Sequence, residues 1–123
     1  MSFDDLSRQV IGLGIEVHKH LGPGLLESVY QECLAYELSA HGIQFQKEMD
    51  IPVIYKGQDL NMNYRIDFLI EGRLIIELKA VESILGIHKA QLLTYMKLTK
   101  IKTGLLMNFN TPVLKNGIQR FVL

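Results

Sequence analysis

The stretch that decides the reading of this chain is Asn63-Tyr-Arg-Ile-Asp-Phe-Leu-Ile-Glu-Gly-Arg-Leu-Ile-Ile-Glu-Leu-Lys-Ala80. Apolar residues alternate through Tyr64, Ile66, Phe68 and Ile70, and again through Leu74, Ile76 and Leu78, which predicts two strands joined by a tight turn at Glu71-Gly72. Asp67, Glu77 and Lys79 interrupt this pattern, although Asp, Glu and Lys are disfavoured inside strands. Two acids on neighbouring strands suit a hard divalent cation such as Mg²⁺ or Mn²⁺, which takes oxygen ligands. A geometric condition goes with that reading. A two-residue turn would set Asp67 opposite Ile76 and send the two acids to opposite sides of the sheet. A three-residue turn, Glu71-Gly72-Arg73, or a bulge, would bring them together. The competing reading is a structural ion-pair trio on a sheet face.

Upstream of this stretch, Leu6, Val10, Leu13, Val17 and Leu21 recur every three to four residues, predicting an amphipathic helix from Phe3 to Leu21 with Ser2 or Asp4 as its cap. Gly12 and Gly14 weaken that helix and allow another element close approach. Gly22-Pro23-Gly24 stops it, and a second helix follows from about Leu25 to His41, ending at Gly42. Strands are expected at 43–47 and 50–55, the latter at a sheet edge because of Pro52, before the strands of the central hairpin. Downstream, a helix over roughly Ile87 to Leu98 carries His88, Gln91 and Tyr95 on one side, with His88 read as a solvated or capping residue near the helix start. The nearly continuous apolar run Thr103 to Phe109 predicts a central strand, and Ile118 to Leu123 a last one after an Asn116-Gly117 turn. The expected order is ααββββαββ, an α/β domain with a mixed sheet flanked by helices.

The chain has 123 residues, 48% of them hydrophobic and 21% charged, which fits one globular domain with a single core. Its apolar runs are too short for a membrane span, and its acidic start is unlike an export signal. The single Cys33 excludes an internal disulfide and a cysteine metal cluster, so a reducing, cytoplasmic setting is expected. The formal charge of zero hides an asymmetry. Residues 1–80 hold seven Lys/Arg against twelve Asp/Glu, whereas residues 81–123 hold six Lys/Arg against Glu82. Such a split allows a local face attractive to phosphate without overall basicity.

Three motifs stand in order along the chain. Gly24-Leu25-Leu26-Glu27-Ser28-Val29-Tyr30 matches the signature of the small bacterial and archaeal GxxExxY proteins. Asp67 followed by Glu77-Leu78-Lys79 resembles the PD-(D/E)xK nuclease motif, with Ile66 where its namesake proline would stand. Gln91-Leu92-Leu93-Thr94-Tyr95 looks like the Gln-x-x-x-Tyr helix motif of some exonuclease branches. The resemblance covers roughly residues 5 to 122 and implies a single restriction-endonuclease-like domain over residues 1–123. It further implies hydrolysis of DNA phosphodiester bonds with a Mg-bound water. Asp67, Glu77 and the main-chain carbonyl of Leu78 would then be metal ligands and Lys79 the catalytic lysine. Glu27 would be the helical acid at the metal and Gln91 a support for the lysine, with Tyr95, Arg65 and Lys89 as candidate DNA contacts. The alternative is a non-catalytic nucleic-acid-binding or protein-interaction module that keeps the fold. A homodimer formed through the exposed meander edge is a third expectation.

Overall fold

The chain runs α1 (Phe3–Leu21), α2 (Glu27–Ala40), β1 (Phe45–Tyr55), β2 (Gln58–Ile70), β3 (Leu74–Lys79), α3 (Gly86–Thr99), β4 (Thr103–Asn108) and β5 (Ile118–Val122), with a 3-10 turn at Leu114–Gly117. The computed structural model describes residues 3–123, with side chains from Asp5 onward. Ser2, one of the two expected caps of α1, and the side chain of Asp4, the other, lie outside that description. The strands form one sheet in the order β1-β2-β3-β4-β5. Every neighbour is antiparallel except β3 and β4, which run parallel with α3 as their crossover.

The α/β class, the mixed sheet and the flanking helices are as the sequence predicts. One element differs. The two strands expected at 43–47 and 50–55 are a single strand, β1, because pairing with β2 continues on both sides of Glu48. Pro52 does not interrupt it, since β1 is an edge strand with an unpaired side. Among the described residues no helix is long and apolar enough to cross a membrane.

Helices α1 and α2 cover one side of the sheet. Leu6, Val10, Leu13 and Val17 of α1 pack with Tyr30, Leu34 and Leu38 of α2 on Phe68, Leu78 and Met107. Close approach is real at Gly14, where an added Cβ would collide with the Met107 side chain, whereas Gly12 faces open space. On the other side, α3 lays Leu92, Tyr95 and Met96 on Ile66, Ile75 and Leu106. Gly104 makes room there, since a Cβ on it would come within 2.8 Å of Met96 Sδ.

The alternation read along β2 does not hold throughout. Phe68 and Ile70 pack on the α1/α2 side, but Tyr64 and Ile66 pack on the α3 side, as do Met49 and Ile51 of β1. Both strands therefore reset their pleat at one paired position. Lys47 pairs with Phe68 and Met49 with Ile66, leaving Glu48 facing Asp67 between them. Glu48 takes φ +56°, a left-handed conformation uncommon for a residue with a side chain. Asp67 thus sits where the sheet changes faces.

Candidate functional site

The connection between β2 and β3 has three residues. Ile70 pairs with Leu74, Leu69 with Ile75 and Phe68 with Ile76, so Glu71, Gly72 and Arg73 form the turn. The turn is closed by the Arg73 N–H donating to the Ile70 carbonyl at 3.0 Å, with Glu71 (φ +53°) and Gly72 (φ +66°) left-handed. This parity sets Asp67 against Glu77, which is the condition for two acids to share a cation. The regular ladder stops there and the carboxylates take its place. The Asp67 N–H donates to Glu77 Oε1 at 3.0 Å, and the Leu78 N–H donates to Asp67 Oδ2 at 2.8 Å. Each acid is held by the backbone of the opposite strand.

The loop before α2 brings a third acid. Tyr30 is fully buried and stacks on Phe109, with ring centroids 4.5 Å apart. Its hydroxyl donates to the Gly22 carbonyl at 2.6 Å and accepts from the Leu25 N–H at 3.1 Å. The Gly22-Pro23-Gly24 turn, with Gly24 at φ +94°, is thereby pinned to the core. Glu27 follows as the first residue of α2, where an acid suits the helix dipole, and its Oε2 accepts from the Ala80 N–H at 3.3 Å just beyond Lys79. One helical turn later, the buried Gln31 donates to Asp67 Oδ1 at 3.5 Å.

Lys79 ends β3, and its carbonyl accepts from the Phe109 N–H at 2.8 Å. The following loop is fixed by Asn108, the partner of Lys79 in the parallel register. Its amide donates to the Val81 carbonyl at 2.9 Å and accepts from the Val81 N–H at 3.1 Å. Glu27, Gln31, Glu48, Arg65, Asp67 and Leu78 line a cleft of about 150 Å³.

The electrostatics of the acid pair are unusual. Burial, and then the charge of Asp67, push Glu77 up to about 8, against the opposing effects of the Asp67 N–H and Lys79. Asp67 is raised too, chiefly by burial, while the Leu78 N–H and Lys79 pull it down and Glu27 and Glu48 push it up. The pair therefore keeps a proton near neutral pH in the metal-free protein. Tyr95 is raised by burial and then by the charges of Glu77 and Asp67, which it faces from α3.

The sequence model of the PD-(D/E)XK nuclease superfamily matches residues 4–121. The chain belongs to the PD-(D/E)XK nuclease superfamily. Among solved structures it is similar in fold to SSO0001, with 22% identity and a TM-score of 0.55 over 77% of this chain. The match covers 48% of that protein, so the chain spans about half its length. No curated protein matches. The α/β domain is accordingly a restriction-endonuclease-like fold.

Members of this superfamily generally use divalent metals, and the donors here fit one. The buried Glu77 is pushed up by burial and by the charge of the half-buried Asp67, an excess of negative charge that a cation would relieve. Among the described residues no three or more His, Cys, Asp or Glu stand together as a metal cage.

The superfamily member's expected site residues do not all converge. Asp67, Glu77, Leu78, Lys79 and Glu27 lie together at the end of β3. Gln91 is exposed on α3, and among the described residues no hydrogen bond links it to Lys79. The buried stripe of α3 runs through Leu92, Tyr95 and Met96 and leaves Gln91 on the solvent side. Tyr95, expected at DNA, is only 4% exposed and packs edge-on against Tyr64, so it faces the acids instead. Arg65 is exposed at the cleft but bridges Asp50 at 3.2 Å and Glu48 at 4.0 Å. Lys89 lies half-buried in the first turn of α3. His88 caps its helix, its Nδ1 accepting from the Leu85 N–H at 3.0 Å. Sequence reasoning missed Gln31, Glu48 and Asn108. Gln31 was findable as the residue one turn after Glu27, and Asn108 as the polar interruption of an apolar run.

Proposed function

We propose that residues 1–123 form a single-domain, Mg²⁺- or Mn²⁺-dependent nuclease of the GxxExxY group that hydrolyses phosphodiester bonds in DNA. The observation that carries this reading is the three-residue turn, which sets Asp67 against Glu77 two residues before Lys79. Asp67, Glu77 and the Leu78 carbonyl would hold the cation. When bound, the cation supplies Lewis acidity to a phosphate oxygen and makes water a competent nucleophile at neutral pH. Lys79, on the same side of β3 as Glu77, offsets negative charge developing on the phosphoryl oxygens and helps orient the attacking water. Glu27 fixes the end of β3 through Ala80 and lends a further acid to the cleft, and Gln31 holds Asp67 in its rotamer. Support for the GxxExxY assignment is that Gly24, Glu27 and Tyr30 work as one device, a pinned turn that delivers an acid to the lysine strand.

Cleavage of single- and double-stranded DNA with Mg²⁺ should be lost in Glu77→Ala and Lys79→Ala. Equal cleavage by the wild type and both variants would mean a contaminant and would sink the enzyme reading. Independently of turnover, Mn²⁺ should raise the Tm of the wild type but not of Asp67→Asn.

A further inference from the structure

The opposite end of β3 carries a second polar feature. Arg73, from the β2–β3 turn, and Lys100 and Lys102, from the α3–β4 connection, line one depression of about 400 Å³. Lys97 stands one helical turn before Lys100. No acidic side chain lines the depression, and Glu71, exposed on the same turn as Arg73, is the acid nearest in sequence. Among the described residues Lys97, Lys100 and Lys102 form no ion pair. A helix C-terminus attracts cations through its dipole, which accounts for Lys97 and Lys100. It does not account for Lys102, which reaches the same depression from a strand approach.

The placement fits a polyanion. β3 begins beside Arg73 and ends at Lys79, and its six residues at about 3.3 Å each set the depression about 20 Å from the lysine. Between the two ends lies α3, running from the end of β3 that carries Lys79 back to the depression, with exposed Gln91, Thr94 and Lys97. The cleft cannot draw in a polyanion by itself. Glu27, Glu48, Asp67 and Glu77 gather there against Lys79 and Arg65, and the chain's net charge of zero adds no general attraction.

We propose that the Arg73–Lys100–Lys102 depression anchors the phosphate backbone of the nucleic acid about 20 Å from the position that is cut, or about six base pairs at 3.4 Å per step. This rests on the reading of the chain as a nuclease. The test is fluorescence anisotropy with labelled duplex and single-stranded DNA in EDTA over a salt series, comparing wild type with R73A/K100A/K102A. The triple variant should bind about tenfold or more weakly, with a log–log salt slope smaller by about two to three. Its Mn²⁺-induced rise in Tm should stay that of the wild type, showing an intact fold and metal site. If the triple variant does not fold, Lys102→Glu at an exposed position gives the same comparison. Unchanged affinity and salt slope would overturn the anchor while leaving the nuclease reading in place. A wild type that binds neither DNA form in EDTA would likewise overturn the anchor, while the Mg²⁺ cleavage assay decides the nuclease reading separately.

Discussion

Glu77 is the residue whose chemistry is furthest from its ordinary state. Raised to about 8 from a usual value near 4.5, it takes up a proton more readily in the folded chain than in the unfolded one. A raised acid contributes stability that is complete below about pH 4.5 and is lost as pH climbs through about 8. Asp67 is shifted in the same direction and adds to the trend. The metal-free protein should therefore melt several degrees lower at pH 8.5 than at pH 5.5, and Glu77→Gln should flatten that slope. Mn²⁺ should stabilise the wild type most at the alkaline end, where the pair has given up its proton. A wild-type slope that matches Glu77→Gln would refute the assignment. Tyr30 makes a different prediction. Tyr30→Phe keeps the stack on Phe109 but loses two hydrogen bonds, so it should cost about 1–2 kcal/mol in chemical denaturation. Because the released turn also frees Glu27, the Mn²⁺ midpoint should weaken as well. Lost stability with an unmoved midpoint would confine Tyr30 to the core.

Among the elements, the β2–β3 hairpin decides whether a site exists. Its turn holds Glu71 and Gly72 in left-handed conformations, which suit glycine and cost a residue with a Cβ. Gly72→Ala should lose about 1 kcal/mol, whereas Glu71→Gly should be neutral or stabilising. Equal losses in urea titrations would mean that the turn is not held this way. That the turn had to be three residues or the strands bulged was legible in the sequence, because parity along two strands is local arithmetic; which of the two it would be was not. The continuity of β1 was not legible. Glu48-Met49-Asp50 reads as a charged break, and only pairing with β2 carries the strand through a left-handed glutamate. The pleat reset at Glu48 and Asp67 escaped for the same reason, being a joint property of two strands. Gln31 and Asn108 escaped because their partners, Asp67 and Val81, lie 36 and 27 residues away. That Gln91 is exposed while Tyr95, one turn on, is buried was not legible either, because the width of the packed stripe on α3 is set by the sheet beneath it.

Taken whole, the molecule separates charge along β3, with acids gathered at one end and cations at the other. It also closes on itself late in the chain. The α1/α2 side is completed only by Met107, Phe109 and Leu114, and His18 reaches across 93 residues to Thr111. Phe109 and Asn108 then lock the carbonyl of Lys79 and the backbone of Val81. This wiring bears on timing during synthesis. A growing chain makes Glu27, Asp67, Glu77 and Lys79 well before β4 exists, and until β4 docks the main chain at the lysine's end of β3 is held, among the described residues, only by the Leu78 N–H on Asp67 and the Ala80 N–H on Glu27. Competence to take up metal should thus wait until β4 and the residues just after it have docked on β3. In stopped-flow refolding, Mn²⁺ uptake should coincide with the last phase; uptake ahead of that phase would show that the hairpin binds metal without its lock.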